Sequence, residues 1–506
     1  MFLALAGCAS GSSAPPAKQT AGLSHTLNLA WQATDMTPDP ADWYGLNVEL
    51  EQSLYQTLLQ YKANSSTIEG QLATSWKISP NGKVYTFHLR SGVKFHDGTP
   101  LNCAAVKYSW AREIKIHGGP SYMLANVASM ACPSPLTFVV TLSRPTAAFL
   151  AYQCSLYGPA IVSPATVRAH LGTNFAQTYL TTHDAGTGPY TLVSSTNRGV
   201  ELKAFPGYWG PKPYYTKVII SIVPDASTEV LELDSGQLGY LANAVPVSDL
   251  SSLSTNPKLR VSYYPATFQT MLFLNTHTGI FTNAKIRESV KYALNKKLIT
   301  RAAFGPTGKP STQFTPFGVL PSGAAADNWS YDPSRVAAIV KTLPTKTVSI
   351  AYTDYIAGDQ LFADEIQVEL QAVGLNATVT GINSSQFESL PEHPAQDPDI
   401  VISTINPDTA EAEDFFEIYT VKGGVLNVVD SSVPKADALV DRGSVSSSTS
   451  TQLADWNKAV RLYVASDDWI PVTDNEGYLV TQATIKHVVH HSILNPFGTD
   501  IGLLSP

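Results

Sequence analysis

Between Leu72 and Trp110 the chain reads LATSWKISPNGKVYTFHLRSGVKFHDGTPLNCAAVKYSW, and this stretch leaves little freedom in how it folds. Trp76 and Ile78 close an apolar run, and Pro80, Asn81 and Gly82 are turn formers. Val84, Tyr85, Phe87 and Leu89 then resume an extended pattern, so the segment predicts a β-hairpin. Ser91 and Gly92 reverse the chain into Val93, Lys94 and Phe95, and Asp97 and Gly98 reverse it again. Thr99 and Pro100 are read as opening a helix that carries Val106, Tyr108 and Trp110.

The rest of the chain supplies ample material for a core around this unit. It has 506 residues, 44% of them hydrophobic, which is enough for two or three globular domains. The net charge of -8 and the scatter of the 33 Lys and Arg residues exclude a nucleic-acid partner, because phosphate binding needs clustered cations. No apolar run reaches the length of a membrane span. Helical spacing of Leu50, Leu54, Leu58 and Leu59 predicts a helix over Val48 to Tyr61, and Thr137 to Leu142 predicts a strand. Gly186-Thr187-Gly188 is not a nucleotide loop, because the strand Tyr190 to Val193 follows where a helix would have to begin.

The order A-x-S-W-x-x-S-x-x-G-K-x-Y-x-F-x-L-R-x-G-V-K-F-H-D-G-T-P-L, filled here from Ala73 to Leu101, resembles the signature of the family 5 solute-binding proteins, the dipeptide, oligopeptide and nickel receptors of ABC importers. The resemblance continues through Gly186 to Tyr190 (G-T-G-P-Y), Tyr208-Trp209-Gly210, Met271 to Thr276 (MLFLNT), Tyr331-Asp332-Pro333 and Trp469 to Val472, and covers roughly residues 23–480. It implies an α/β, two-lobed periplasmic-binding-protein fold (type II, cluster C-like), with an extra subdomain inserted in the first lobe and a two-strand hinge. The divisions it implies are a leader and linker over 1–23, lobe I over 24–52, the inserted subdomain over 53–185, more of lobe I over 186–271, lobe II over 272–469, and a return to lobe I over 470–506.

The resemblance further implies a receptor that makes or breaks no bond, needs no cofactor or metal, acts as a monomer, and passes a small polar ligand to permease subunits. A short peptide is the leading ligand, with a metal chelate or a glycoside as the alternative. Peptide-binding members carry a carboxylate in a strand-to-loop motif resembling G-W-x-x-D-x-x-D-P. The corresponding strand Asp399 to Ile402 runs here into Ser403-Thr404-Ile405-Asn406-Pro407-Asp408, without the tryptophan. Asp408 is thus the candidate anchor for a ligand ammonium group, with Glu411, Glu413 and Asp414 as other possibilities. Trp31, Tyr190, Thr267, Phe268 and Tyr419 are candidate pocket residues at lobe edges.

Leu5-Ala6-Gly7-Cys8 matches a bacterial lipobox, and the Ser, Gly, Ala and Pro of residues 9–21 form a tether. Cys8 is therefore the expected lipidation site, giving an extracytoplasmic, membrane-anchored protein. Of the three remaining cysteines, Cys132 and Cys154 are expected to pair and Cys103 to stay a packed thiol, although any of the three pairings is open. Two enzyme-like features are weak. Ser432 to Lys435 form an S-x-x-K with no companion motif for a serine hydrolase, and His487, His490 and His491 read as solvated histidines.

Overall fold

The structure is a computed structural model that describes residues 25–32, 37–42, 48–63, 65–242, 244–320, 328–356, 358–489 and 498–506. Cys8, the tether, His490 and His491 lie outside the described residues.

The hairpin forms from Ala73–Ile78 and Val84–Leu89, and the turn glycine Gly82 takes a φ of 67°, where a Cβ would be strained. Thr137–Leu142 pairs with Val84–Leu89 and Val127–Ser134 completes a four-stranded antiparallel sheet. Alternate residues Tyr85, Phe87, Phe138 and Val140 are buried, and Cys103–Ile116 lays Val106 and Trp110 across them. The helix begins at Cys103, three residues beyond Pro100, because the Asn102 side chain caps it by accepting from the Ala105 N–H.

The first lobe is built on a second sheet, in the order Thr26–Trp31, Lys217–Ile222, Gly199–Ala204, Tyr190–Thr196, whose first pair is parallel. The predicted helix over Val48 to Tyr61 is shorter. It ends at Leu54, and Leu59–Tyr61 is a strand paired with Ile68–Gly70. The Leu58 carbonyl accepts from Gln71 and Ala73, so this backbone is satisfied by the neighbouring chain rather than by another helical turn. Gly186 and Gly188 pack directly on the end of that helix. A Cβ at Gly186 would lie 1.9 Å from the Leu54 carbonyl oxygen, and one at Gly188 would lie 2.3 Å from that of Ser53.

Two long antiparallel strands, Leu259–Leu274 and Trp469–Gln482, join the lobes. Leu259 to Tyr264 pair with Gly477 to Gln482 beside Tyr240–Ala242 of the first lobe. The register breaks between Tyr264 and Phe268, and Gln269 to Leu274 continue into the second lobe beside Ile400–Ile405, Thr347–Thr353 and Asn376–Ile382. Leu272, Ile350, Phe362, Ile366 and Ile400 lie in the core on one face of this sheet, and Phe273, Phe415, Tyr463 and Trp469 on the other. This two-strand connection is the structural basis of a hinge.

The disulfide differs from the expected one. Cys103 is bonded to Cys132, and Cys154 is a buried free thiol whose Sγ donates to the Leu150 carbonyl. Pairing across the sheet brings the end of Val127–Ser134 to the start of the helix, where the Cys103 N–H donates to the Pro135 carbonyl. The sequence distance between Cys132 and Cys154 concealed this, because the helix crosses back over the strand.

Candidate functional site

The loop after Ile400–Ile405 and the helix Ala412–Tyr419 present the second lobe's acidic residues to the inserted subdomain. The Tyr122 hydroxyl, from the turn Gly119–Leu124, donates 2.5 Å to Asp408 Oδ2 and lies 3.1 Å from Asp414 Oδ1. The Ala148 N–H donates 2.8 Å to Glu413 Oε2. Arg144 donates to Glu417 at 3.1 Å and to Asp441 at 2.5 Å. These bonds cross between segments hundreds of residues apart and hold the lobes together.

Asp408 is 5% exposed, and Glu413 and Asp414 are fully buried. Burial raises the carboxyls of Glu413 and Asp414, and nearby Asp408 raises Asp414 further. The phenols of Tyr152, Tyr157 and Tyr419 are also pushed up by burial, with the Asp408 charge adding to it. Desolvation of these carboxyls by the opposing side, where it outweighs the Tyr122, Ala148 and Arg144 contacts that lower them, makes closure take up a proton. Closure therefore gains as pH falls and weakens as pH rises through the raised range. The ligand-free protein is expected to have a larger radius of gyration at about pH 9 than at about pH 5 by X-ray scattering, and equal values would contradict the linkage.

The loop gathers three of the sequence-selected residues. Thr267 Oγ1 donates 2.5 Å to Asn406 Oδ1, Tyr419 OH donates 3.0 Å to the Asn406 carbonyl, and Asp408 follows two residues later. Phe268 is half-buried on the hinge strand opposite Asn475. Trp31 stands apart in the first lobe, hydrogen-bonded to Glu49. Tyr190 lies within the first lobe's core, its hydroxyl donating to the Tyr215 carbonyl, and it faces no gap between lobes. Tyr122, Arg144 and the Ala148 amide were not singled out from the sequence. Arg144 was visible only as part of the Arg-Pro that follows a strand, and Tyr122 sits in Gly-Pro-Ser-Tyr-Met with no distinguishing pattern. The S-x-x-K forms no nucleophile pair, since the Ser432 hydroxyl donates to Asp437. His487 Nδ1 lies 2.9 Å from the Ser505 hydroxyl. No group of three or more His, Cys, Asp or Glu among the described residues is arranged to hold a metal.

Two mixed α/β lobes joined by a pair of strands, with polar groups converging where they meet, define a solute-binding receptor. The chain belongs to the bacterial extracellular solute-binding proteins, family 5, whose model matches residues 67–427. It is a substrate-binding component of an ABC importer, a transport protein and not an enzyme. Among its relatives is the "Probable D,D-dipeptide-binding periplasmic protein DdpA" of Escherichia coli K12, 26% identical over 452 residues that cover 87% of this chain and 86% of that one. The glutathione-binding protein GsiB of the same strain is 29% identical over 365 residues, covering 69% and 68%. Of solved structures, DppA from Helicobacter pylori in complex with the peptide STSA superposes with a TM-score of 0.83 at 21% identity, over 95% of this chain and 97% of that one. NikA from Brucella suis in complex with Fe(III)-EDTA superposes with the same TM-score at 18% identity, over 95% and 99%.

Proposed function

We propose that this protein captures short peptides outside the cytoplasm, with Asp408 receiving the ligand's ammonium group as the lobes close over it. One observation carries the reading: Asp408 is buried at the interface between the lobes, where its carboxylate accepts from a donor on the other side, the Tyr122 hydroxyl. An ammonium group offers three donors and a full charge to the same oxygens, so a ligand binds the closed form more strongly than the phenol can. Because the ligand contacts both sides only when they meet, occupancy shifts the open and closed populations, and the permease would read the closed one. Asp408→Ala is expected to weaken dipeptide binding by at least about tenfold in calorimetry. Unchanged affinity would remove Asp408 from the site.

Lipidation of Cys8 would keep this monomeric receptor beside its permease, since two or more acyl chains anchor stably where one does not. Cys8→Ala in the full chain is expected to move the protein from the membrane fraction to the soluble fraction. Continued membrane association would remove the anchor.

A further inference from the structure

At the edge of the lobe interface, where Tyr61 faces Ala410 and Glu411 of the second lobe, the first lobe and its inserted subdomain line an open cavity of about 110 Å³ that includes Glu51, Gln56, Tyr61, Gln71, Ser155 and Asp500. That volume holds several waters, so it has room for a small ion with part of its hydration shell or for the end of a long side chain. None of the described lining residues is Lys or Arg. The amides there are already used: Gln56 accepts from Trp209 and Thr187, and Gln71 accepts from the Thr57 amide. Glu51 differs. It is 6% exposed, and its Oε1 is buried with no hydrogen-bond partner. A buried, unanswered carboxyl oxygen is costly and points to a missing partner.

The surroundings sharpen that demand. Burial pushes the Glu51 carboxyl well above the usual range, and Asp39 and Glu113 push it further. Arg112, the neighbouring cation, is committed to Asp39 through a two-pronged pair and to the Phe175 carbonyl. Asp500, which also lines the cavity, accepts from the Gly502 N–H and is raised by burial to about 6. Two carboxyl groups among neutral amides and hydroxyls, with no cation among the described lining residues and with nearby Arg90 engaged by the Gln71 carbonyl and the Trp209 ring, suit one positive charge.

We propose that this cavity is a binding site for a single ammonium-type cation, with Glu51 as its counter-charge and Asp500 as the second carboxylate. The cation is either free, as ammonium or potassium, or the ammonium end of a side chain on the captured peptide, and this second source rests on the peptide reading above. Arrival of the cation lowers the affinity of Glu51 for its proton, so binding releases a proton.

Two calorimetric arms test this. In the first, the full chain is titrated with ammonium chloride against choline chloride at equal ionic strength, in two buffers of different ionisation heat. The expected result for a free cation is saturable binding with proton release, weakened about tenfold in Glu51→Gln. In the second, lysyl-alanine is compared with norleucyl-alanine, and a side-chain source gives about a tenfold preference for lysine that Glu51→Gln abolishes. Asp500→Asn, which keeps the acceptor for Gly502, is read in both arms and decides the matter if Glu51→Gln does not fold. Dipeptides bound without preference for lysine, together with no ammonium uptake, would overturn the site and leave the peptide reading standing. Ammonium uptake with no dipeptide bound would support the site and refute the peptide reading.

Discussion

Arg112→Met is expected to lower the unfolding free energy by about 3–5 kcal/mol, measured as a fall in the urea midpoint. Arg112 lies on the inner face of the helix Cys103–Ile116, and its guanidinium grips both oxygens of Asp39, one at 2.8 Å. Both groups are almost completely out of water, with side-chain exposures of 3% and 0%. Asp39 belongs to the segment leading into the first lobe's helix Val48–Leu54, so the pair ties that lobe to its inserted subdomain. Removing the cation leaves Asp39 buried without a counter-charge, its Oδ1 still accepting from the Ala41 N–H, beside Glu51 and Glu113 whose carboxyls burial already raises. Methionine fills the space without supplying a charge, so the loss reports electrostatics rather than packing. The double variant Arg112→Met with Asp39→Leu is expected to regain much of the stability, because a buried ion pair is worth little over a well-packed apolar pair. A single variant with an unchanged midpoint would show that the pair does not hold the first lobe together.

The second large effect is expected from the disulfide. Cys103 and Cys132 are 29 residues apart in sequence, and closing a loop of that length restrains the unfolded chain by roughly 3–4 kcal/mol on the chain-entropy model. Thermal unfolding with and without dithiothreitol checks this with three proteins. The native chain and Cys154→Ala are expected to lose the same amount on reduction, and Cys103→Ser to show no response. A response that vanishes in Cys154→Ala instead would restore the pairing of Cys132 with Cys154. The free thiol is a poor partner on chemical grounds too, since burial raises the Cys154 pKa and disfavours the reactive thiolate.

Local patterns were legible wherever neighbouring residues in sequence also pack together. The hairpin around Gly82 and the strand Thr137–Leu142 follow from turn chemistry and alternation, and both are found. Leu58 and Leu59 misled because two adjacent leucines fit a helical stripe as readily as a buried strand, and only the partner strand Ile68–Gly70 decides. The ordered match beginning at Ala73 gave the two-lobed fold, which no periodicity could have supplied. The contacts between the lobes were harder to see. Asp408 was found by its place after Ile400–Ile405, but its partner Tyr122 lies 286 residues earlier, and nothing near that tyrosine marks it. Tyr190 misled for the opposite reason: an aromatic beside a glycine loop looked like a pocket wall, yet the close approach of Gly186 and Gly188 to the helix end turns it into the core.

The most direct test of capture between closing lobes is a crystal structure of the protein with a dipeptide that calorimetry shows to bind. The expected result is ligand density enclosed between the second lobe's loop and the inserted subdomain, with the peptide nitrogen within hydrogen-bonding distance of Asp408 and the Tyr122 hydroxyl displaced from it. Density bound to one lobe alone, with the Tyr122 to Asp408 bond intact, would contradict it.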